Sequence, residues 1–163
     1  MRGKQAPKRK IEPDSRYNST IVAKFMNYMM SDGKKSTAQK VVYGAFDKVD
    51  AEIKAGKLPK EFENALQVFD AAIKTVAPQL EVRGRRIGGA NYQVPYPVRG
   101  DRKYALAFRW IIEAAKNKKG KPMAKRLAEE FVDIVNGEGA SLKKKNDVQR
   151  MAESNRAFAH FAR

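Results

Sequence analysis

The chain has 163 residues, enough for one ordinary domain with a continuous hydrophobic core and no need of disulfides or metals. Its 34 Lys and Arg stand against 18 Asp and Glu, a formal net charge of +16, while 42% of residues remain hydrophobic; such a chain can fold and still carry charge that a polyanion must neutralise. The absence of cysteine excludes a disulfide scaffold and thiolate ligands and fits a reducing cytosol, no apolar run approaches the roughly 20 residues of a membrane helix, and the basic N-terminus leads into polar sequence, not a signal-peptide core, so a cytoplasmic protein is expected.

Residues 1–16 lack apolar periodicity and carry Arg2, Lys4, Lys8, Arg9 and Lys10 before any acid, with Pro7 and Pro13 as breakers; they are expected to form a flexible basic arm. Residues 17–163 are expected to form a helical domain. Val22, Phe25, Met26, Met29 and Met30 recur at helical spacing up to Gly33. Ser36 or Thr37 can cap a second helix with Ala38, Val41, Val42, Ala45, Val49 and Ile53 on one face, ending at Gly56; Lys34 and Lys35 sit in the turn between. Pro59 suits the first turn of a third helix, whose stripe Phe62, Ala65, Leu66, Phe69, Ile73 and Val76 is the cleanest amphipathic pattern. Leu66→Ala or Phe69→Ala is expected to cost roughly 2 to 5 kcal/mol.

The period then changes. Leu80 and Val82 alternate with charges, Gly88-Gly89 interrupts, and Tyr92, Val94, Tyr96 and Val98 alternate with Gln93, Pro95 and Pro97, predicting a two-stranded ribbon over about 80–98. Pro95 and Pro97 remove donors from one side only, which must be an unpaired edge. After Gly100 a fourth helix carries Tyr104, Ala107, Phe108, Ile111, Ile112 and Ala115, with Trp110 near this face and Arg102, Arg109 and Lys116 opposite. A basic break at residues 118–121 precedes a fifth helix marked by Ala124, Leu127, Ala128, Phe131 and Val135, in which Lys125 with Glu129 and Arg126 with Glu130 have the spacing of surface pairs. A sixth helix includes Val148, Met151 and Ala152 and follows the run Lys143, Lys144, Lys145. The expected fold is mainly α, a single domain of about six helices with a protruding two-stranded β ribbon.

Little in the chain suits catalysis or cofactor binding. The one histidine, His160, lies between Phe158 and Phe161 near the end and reads as a packing or stacking residue; no HExxH, Walker-type loop or CxxC occurs, so no catalytic group, metal site or cofactor is expected. Gly88-Gly89 separates two strands, whereas a phosphate loop opens a helix. Glu81 and Asp101 stand among arginines and read as charge balance.

Single basic runs are usually solvated faces. Here an arm, a turn, a ribbon, an Arg-bearing helix face and a C-terminal segment are all basic on one small domain, which points to nucleic acid. On the ribbon Arg83 and Arg85 share a face and Arg86 projects to the other; their planar forks match phosphate oxygens and stack on bases. Tyr92 and Tyr96 can either receive an unstacked base or pack against the helices.

The stretches FMNYMMSDGKKSTAQKVVYGAF, LEVRGRRIGGANYQVPYPVRGDRKYALAFRWIIEAA and MAESNRAFAHF resemble the small-subunit ribosomal protein seven family in its bacterial form. The resemblance implies a six-helix core with a protruding ribbon. It also implies a non-enzymatic constituent of the small ribosomal subunit that binds and organises the 3′ major (head) domain of 16S-type rRNA. Exit-site tRNA, mRNA and neighbouring ribosomal proteins would be close, and no membrane would be involved. By matching positions it places the RNA surface on the basic arm, Lys34, Lys35, Arg83, Arg85, Arg86, Arg99, Arg102, Arg109 and the C-terminal segment with Lys143, Lys144, Lys145, Arg150 and Arg156, to which the ribbon itself adds Tyr92 as a candidate RNA contact. The ribbon tip, Ile87, Gly88, Gly89, Ala90 and Asn91, would approach mRNA and tRNA. The sequence departs from the family pattern around the third helix, in VRGDRK, and in its ending Phe161-Ala162-Arg163. A general DNA-binding or chromatin-type protein is the alternative that composition alone leaves open.

Overall fold

A computed structural model describes residues 3, 6, 7, 10–59 and 61–162. Arg2, Lys4, Lys8 and Arg9 of the expected RNA surface lie outside the described residues, and Lys10 is exposed. The described chain forms α1 (Thr20–Met29), α2 (Lys35–Lys54), α3 (Ala65–Val76), β1 (Leu80–Ile87), β2 (Ala90–Pro97), α4 (Asp101–Asn117), α5 (Met123–Val135), α6 (Ala140–Ser154) and a terminal 3₁₀ helix (Arg156–Ala162). The expected mainly α domain with a two-stranded antiparallel ribbon is therefore present.

Each of the first five helices places one phenylalanine at the centre: Phe25, Phe46, Phe69, Phe108 and Phe131 are all at most 1% exposed. Phe69 is their hub, with ring centroids 5.3 Å from Phe25, 5.3 Å from Phe46 and 5.7 Å from Phe131, the last at 89°. Such tilted and edge-to-face contacts set the positive ring edge against the negative face, adding to the burial of large apolar area. Leu66 is only partly buried at the margin of this cluster. The chain is tied to the body from Asp14 onward. Tyr43 Oη donates to Asp14 Oδ1 at 2.7 Å, the other oxygen accepts the Arg16 and Tyr17 amides, and Arg16 pairs with Asp47.

Three helix starts differ from the expected ones. Neither Ser36 nor Thr37 caps α2; the helix begins at Lys35 with Lys34 in the cap position and no side-chain cap, because the left-handed Asp32-Gly33 turn (φ 53° and 73°) feeds directly into it. Pro59 does not open α3. Residues before Ala65 form a turn that packs Phe62 on the core, and Asp50 on α2 accepts the Ala65 amide at 2.7 Å, so a neighbouring helix supplies the cap. The lysine run does not precede α6 but lies inside it, since the helix begins at Ala140. Met151 faces solvent there, while Ala152 is buried.

A buried carboxylate explains the early start of α6. Glu130 on α5 has no exposed surface, and its Oε1 accepts both the Ser141 amide (3.0 Å) and Ser141 Oγ (2.8 Å) at the first turn of α6. A carboxylate there meets the orphan amides and the positive end of the helix dipole. Gly139 permits the approach, because a Cβ at that position would lie 2.7 Å from Ile134 Cγ1 and 3.2 Å from Glu130 Oε1.

Candidate nucleic-acid interface

Residues Leu80 to Ile87 pair with Pro97 to Ala90 in register around a two-residue turn at Gly88 and Gly89. Both glycines have positive φ (57° and 91°), as a type I′ turn requires at both central positions. In such a hairpin the pair Ile87–Ala90 exchanges hydrogen bonds, and alternation along the ladder makes Val82–Pro95 and Leu80–Pro97 non-bonded pairs. Both prolines thus turn their donorless nitrogens to the outer edge, as their spacing predicts.

Arg83, Arg85, Arg86, Gly88, Gly89, Ala90 and Asn91 are exposed on the ribbon, with Ile87 half-buried. The Arg83 guanidinium lies 5.3 Å from the Tyr96 ring centroid and bonds Glu81 Oε1, while Arg102 at the start of α4 grips Glu81 Oε2 with Nε at 3.1 Å and Nη2 at 3.0 Å. Glu81 is buried at the ribbon's root and ties it to α4. Asp101 likewise balances charge, pairing with Lys24 at 3.0 Å. Tyr92 packs against Phe158 (5.1 Å) and Phe161 (5.7 Å) of the terminal 3₁₀ helix, and Arg85 donates to the Phe161 carbonyl. Of the two roles open for Tyr92, packing is the one seen, though its helical partner is the chain's own tail.

The structure gathers the ribbon, α6, the start of α4 and the tail into one end of the molecule, since α6 packs on β1 and the tail on β2. Lys143 and Arg150, seven residues apart on α6, share its exposed face; Lys144 and Arg156 are exposed nearby in sequence, and Arg99 is exposed just after β2. Lys145 is different: its ammonium donates to the Thr75 carbonyl at 2.6 Å in the last turn of α3, where a cation satisfies a helix end. Arg109 lies on the α1 side of α4, 5.8 Å from the Tyr28 ring centroid. Lys34 and Lys35 stand apart at the α1–α2 turn, Lys34 within 3.8 Å of Asp32. Among the described residues no group of three or more His, Cys, Asp and Glu could hold a metal ion, and no helix is long and apolar enough to cross a membrane.

Residues 1–156 match the family model described as ribosomal protein S7p/S5e. The chain belongs to this family. It is 52% identical over 160 residues to a protein named small ribosomal subunit protein uS7 from Cupriavidus metallidurans, covering 98% of this chain and 97% of that protein. A protein of the same name from Francisella tularensis subsp. holarctica is 49% identical over 160 residues, covering 98% of each. The matched segment of this S7p/S5e member ends at Arg156, so most of the 3₁₀ helix that covers Tyr92 lies beyond it.

The bases of α5 do not form the within-helix pairs that their spacing predicts in this family member. Glu129 pairs with Lys121 at 2.7 Å, which holds its carboxyl below the usual range. Arg126 instead donates to the Lys116 and Lys118 carbonyls at 3.1 and 2.7 Å, closing the end of α4. Lys118 turns inward, 2.6 Å from Asp133 and 3.0 Å from Glu130 Oε2, the second contact too oblique for a hydrogen bond. Lys118 belongs to the basic break at residues 118–121; nothing in a run of lysines marks the one whose partners come from the next helix.

Burial pulls the Lys118 pKa down, but the hydrogen bond to Asp133 and the Glu130 carboxylate outweigh it, leaving it above the ordinary 10.5. A folded-state pKa above the unfolded one contributes stability that is complete below about 10.5 and is lost as pH rises through the folded value. We expect the parent chain to lose more thermal stability between pH 9 and pH 11 than Lys118→Met does, measured by circular dichroism. Equal slopes would show that the pair adds no pH-dependent stability.

Proposed function

We propose that this S7p/S5e family member is a structural constituent of the small ribosomal subunit in the cytoplasm, and that it binds and organises the 3′ major domain of 16S-type rRNA. The observation that carries the reading is the arginine-bearing ribbon, rooted through Glu81 to Arg102 and flanked by the exposed bases of α6. Guanidinium forks on a narrow projection suit the phosphates and irregular grooves of folded RNA. The names of the 52% and 49% identical relatives support the subunit assignment.

The contact surface we assign comprises the basic arm of residues 1–16, Lys34, Lys35, Arg83, Arg85, Arg86, Arg99, Arg102, Arg109, Lys143, Lys144, Arg150 and Arg156, on the helical domain of residues 17–163. The tip from Ile87 to Asn91 reaches toward mRNA and exit-site tRNA. Tyr92 and Lys145 support this surface from within, given their contacts with Phe158 and Thr75.

The test compares binding to a small-subunit RNA 3′-domain fragment and to duplex DNA at matched salt. The RNA should bind more tightly, with affinity falling linearly in log salt. Equal affinity for any duplex would favour the chromatin-type alternative. Replacing Arg83, Arg85 and Arg86 with Ala should weaken RNA binding and flatten the salt slope by up to about 2 to 3, at roughly 0.7 to 0.9 for each phosphate no longer neutralised. Thermal unfolding should shift little, because Arg102 still neutralises Glu81. A large loss of stability would show that these arginines serve the fold.

A further inference from the structure

We propose that the α1–α4 face holds a base-stacking site, in which Tyr28 receives one unpaired RNA base while Arg109 and Lys116 meet its flanking phosphates. The inference rests on the RNA-binding reading above and names a contact surface outside the ribbon.

Tyr28 and Tyr104 are 41% and 39% exposed, although α1 and α4 otherwise turn their aromatic rings inward. Both lean on the same buried ring: Tyr28 lies 5.5 Å and Tyr104 6.4 Å from Phe108, which is 1% exposed. Two surface rings braced from beneath are already ordered, so a base that stacks on them loses little side-chain freedom. Tyr28 also lines a shallow cavity of about 310 Å³ with Arg109, Ile112, Glu113, Lys116 and Asn117, at the small end of the roughly 300 to 1,000 Å³ of ligand clefts. Ile112 gives it an apolar wall. Two cations against the single carboxylate of Glu113 leave the lining net positive.

The chemistry selects the occupant. An aromatic face beside cations fits a flat π system carrying negative charge on both sides, which describes a nucleotide within a strand. A base inside a duplex has its faces covered by its neighbours, so only an unpaired one can stack on Tyr28. The Arg109 guanidinium rests 5.8 Å from the Tyr28 ring centroid, and a phosphate offers it stronger, charge-assisted bonds. On binding, the guanidinium exchanges the ring for phosphate and leaves the ring face to the base.

The experiment measures affinity of full-length variants for the 3′-domain RNA fragment across a salt series. Tyr28→Leu should weaken binding about tenfold, within the range for loss of one base–aromatic stack, with an unchanged salt slope. Tyr28→Phe should bind like the parent, and Arg109→Gln should flatten the slope by about one unit. Parent-like affinity of Tyr28→Leu would overturn the stacking site while leaving RNA binding in place; a parent that does not bind the fragment would overturn both. Should Tyr28→Leu fail to fold, zero-length ultraviolet cross-linking of the parent to the same fragment decides. Cross-linked peptides containing Tyr28 support the site, and cross-links confined to other segments overturn it.

Discussion

Phe69→Ala is expected to lower the free energy of unfolding by about 3 to 5 kcal/mol, the range for truncating a buried phenylalanine. Phe69 has no exposed surface and holds three other rings, from α1, α2 and α5, within 5.7 Å. Truncation removes the burial of one ring and leaves a cavity where four helices meet, which cannot collapse without moving them. The denaturant midpoint should fall with little change in m-value. Leu66→Ala, one turn earlier, should cost clearly less, because Leu66 is only partly buried. Equal losses at the two positions would refute the placement of the hub.

Glu130→Ala is expected to cost a similar amount, about 3 to 5 kcal/mol, for a different reason. The substitution orphans the Ser141 amide and hydroxyl and removes one of the two carboxylates beside the inward-facing Lys118. Unmade buried hydrogen bonds lose the full desolvation of each group, not the small net value of a bond exchanged with water. Glu130→Gln keeps an acceptor for Ser141 while discarding the charge, and should cost about half as much. Glu130→Ala should also loosen the start of α6, so faster amide exchange at residues 140–144 is the local signature. Slow exchange there in Glu130→Ala would show that packing around Gly139, not the carboxylate, sets the helix start.

The apolar periodicity marked the helices correctly because each had to contribute one buried stripe to a shared core, a constraint written locally every three or four residues. Helix starts were less legible. The acceptors that settle α3 and α6 are Asp50 and Glu130, which lie fifteen and eleven residues from the amides they meet. Local capping rules saw Pro59, Ser36 and Thr37 and had no access to these partners. The same limit misassigned the α5 charges, where spacing proposed neighbours on one helix and the fold joined α5 to the end of α4 instead. On the ribbon, alternation placed Arg83 and Arg85 together and located the proline edge, since strand geometry follows from parity alone. The two roles of Tyr92 could not be separated until Phe158 and Phe161 were seen to return across some sixty-six residues of chain.

The outward prolines of β2 bear on how the chain behaves before it meets any partner. A projecting two-stranded ribbon offers two rows of unpaired backbone groups, a template on which a second copy could add a strand and begin a fibre. Pro95 and Pro97 leave no donors at the root of one edge, the 3₁₀ tail packs on that strand, and α6 packs on β1. What stays open near the tip is flanked by arginines, whose like charges repel another ribbon. The hairpin can therefore stay extended and solvent-facing in a crowded pool of newly made chains without seeding cross-β aggregation.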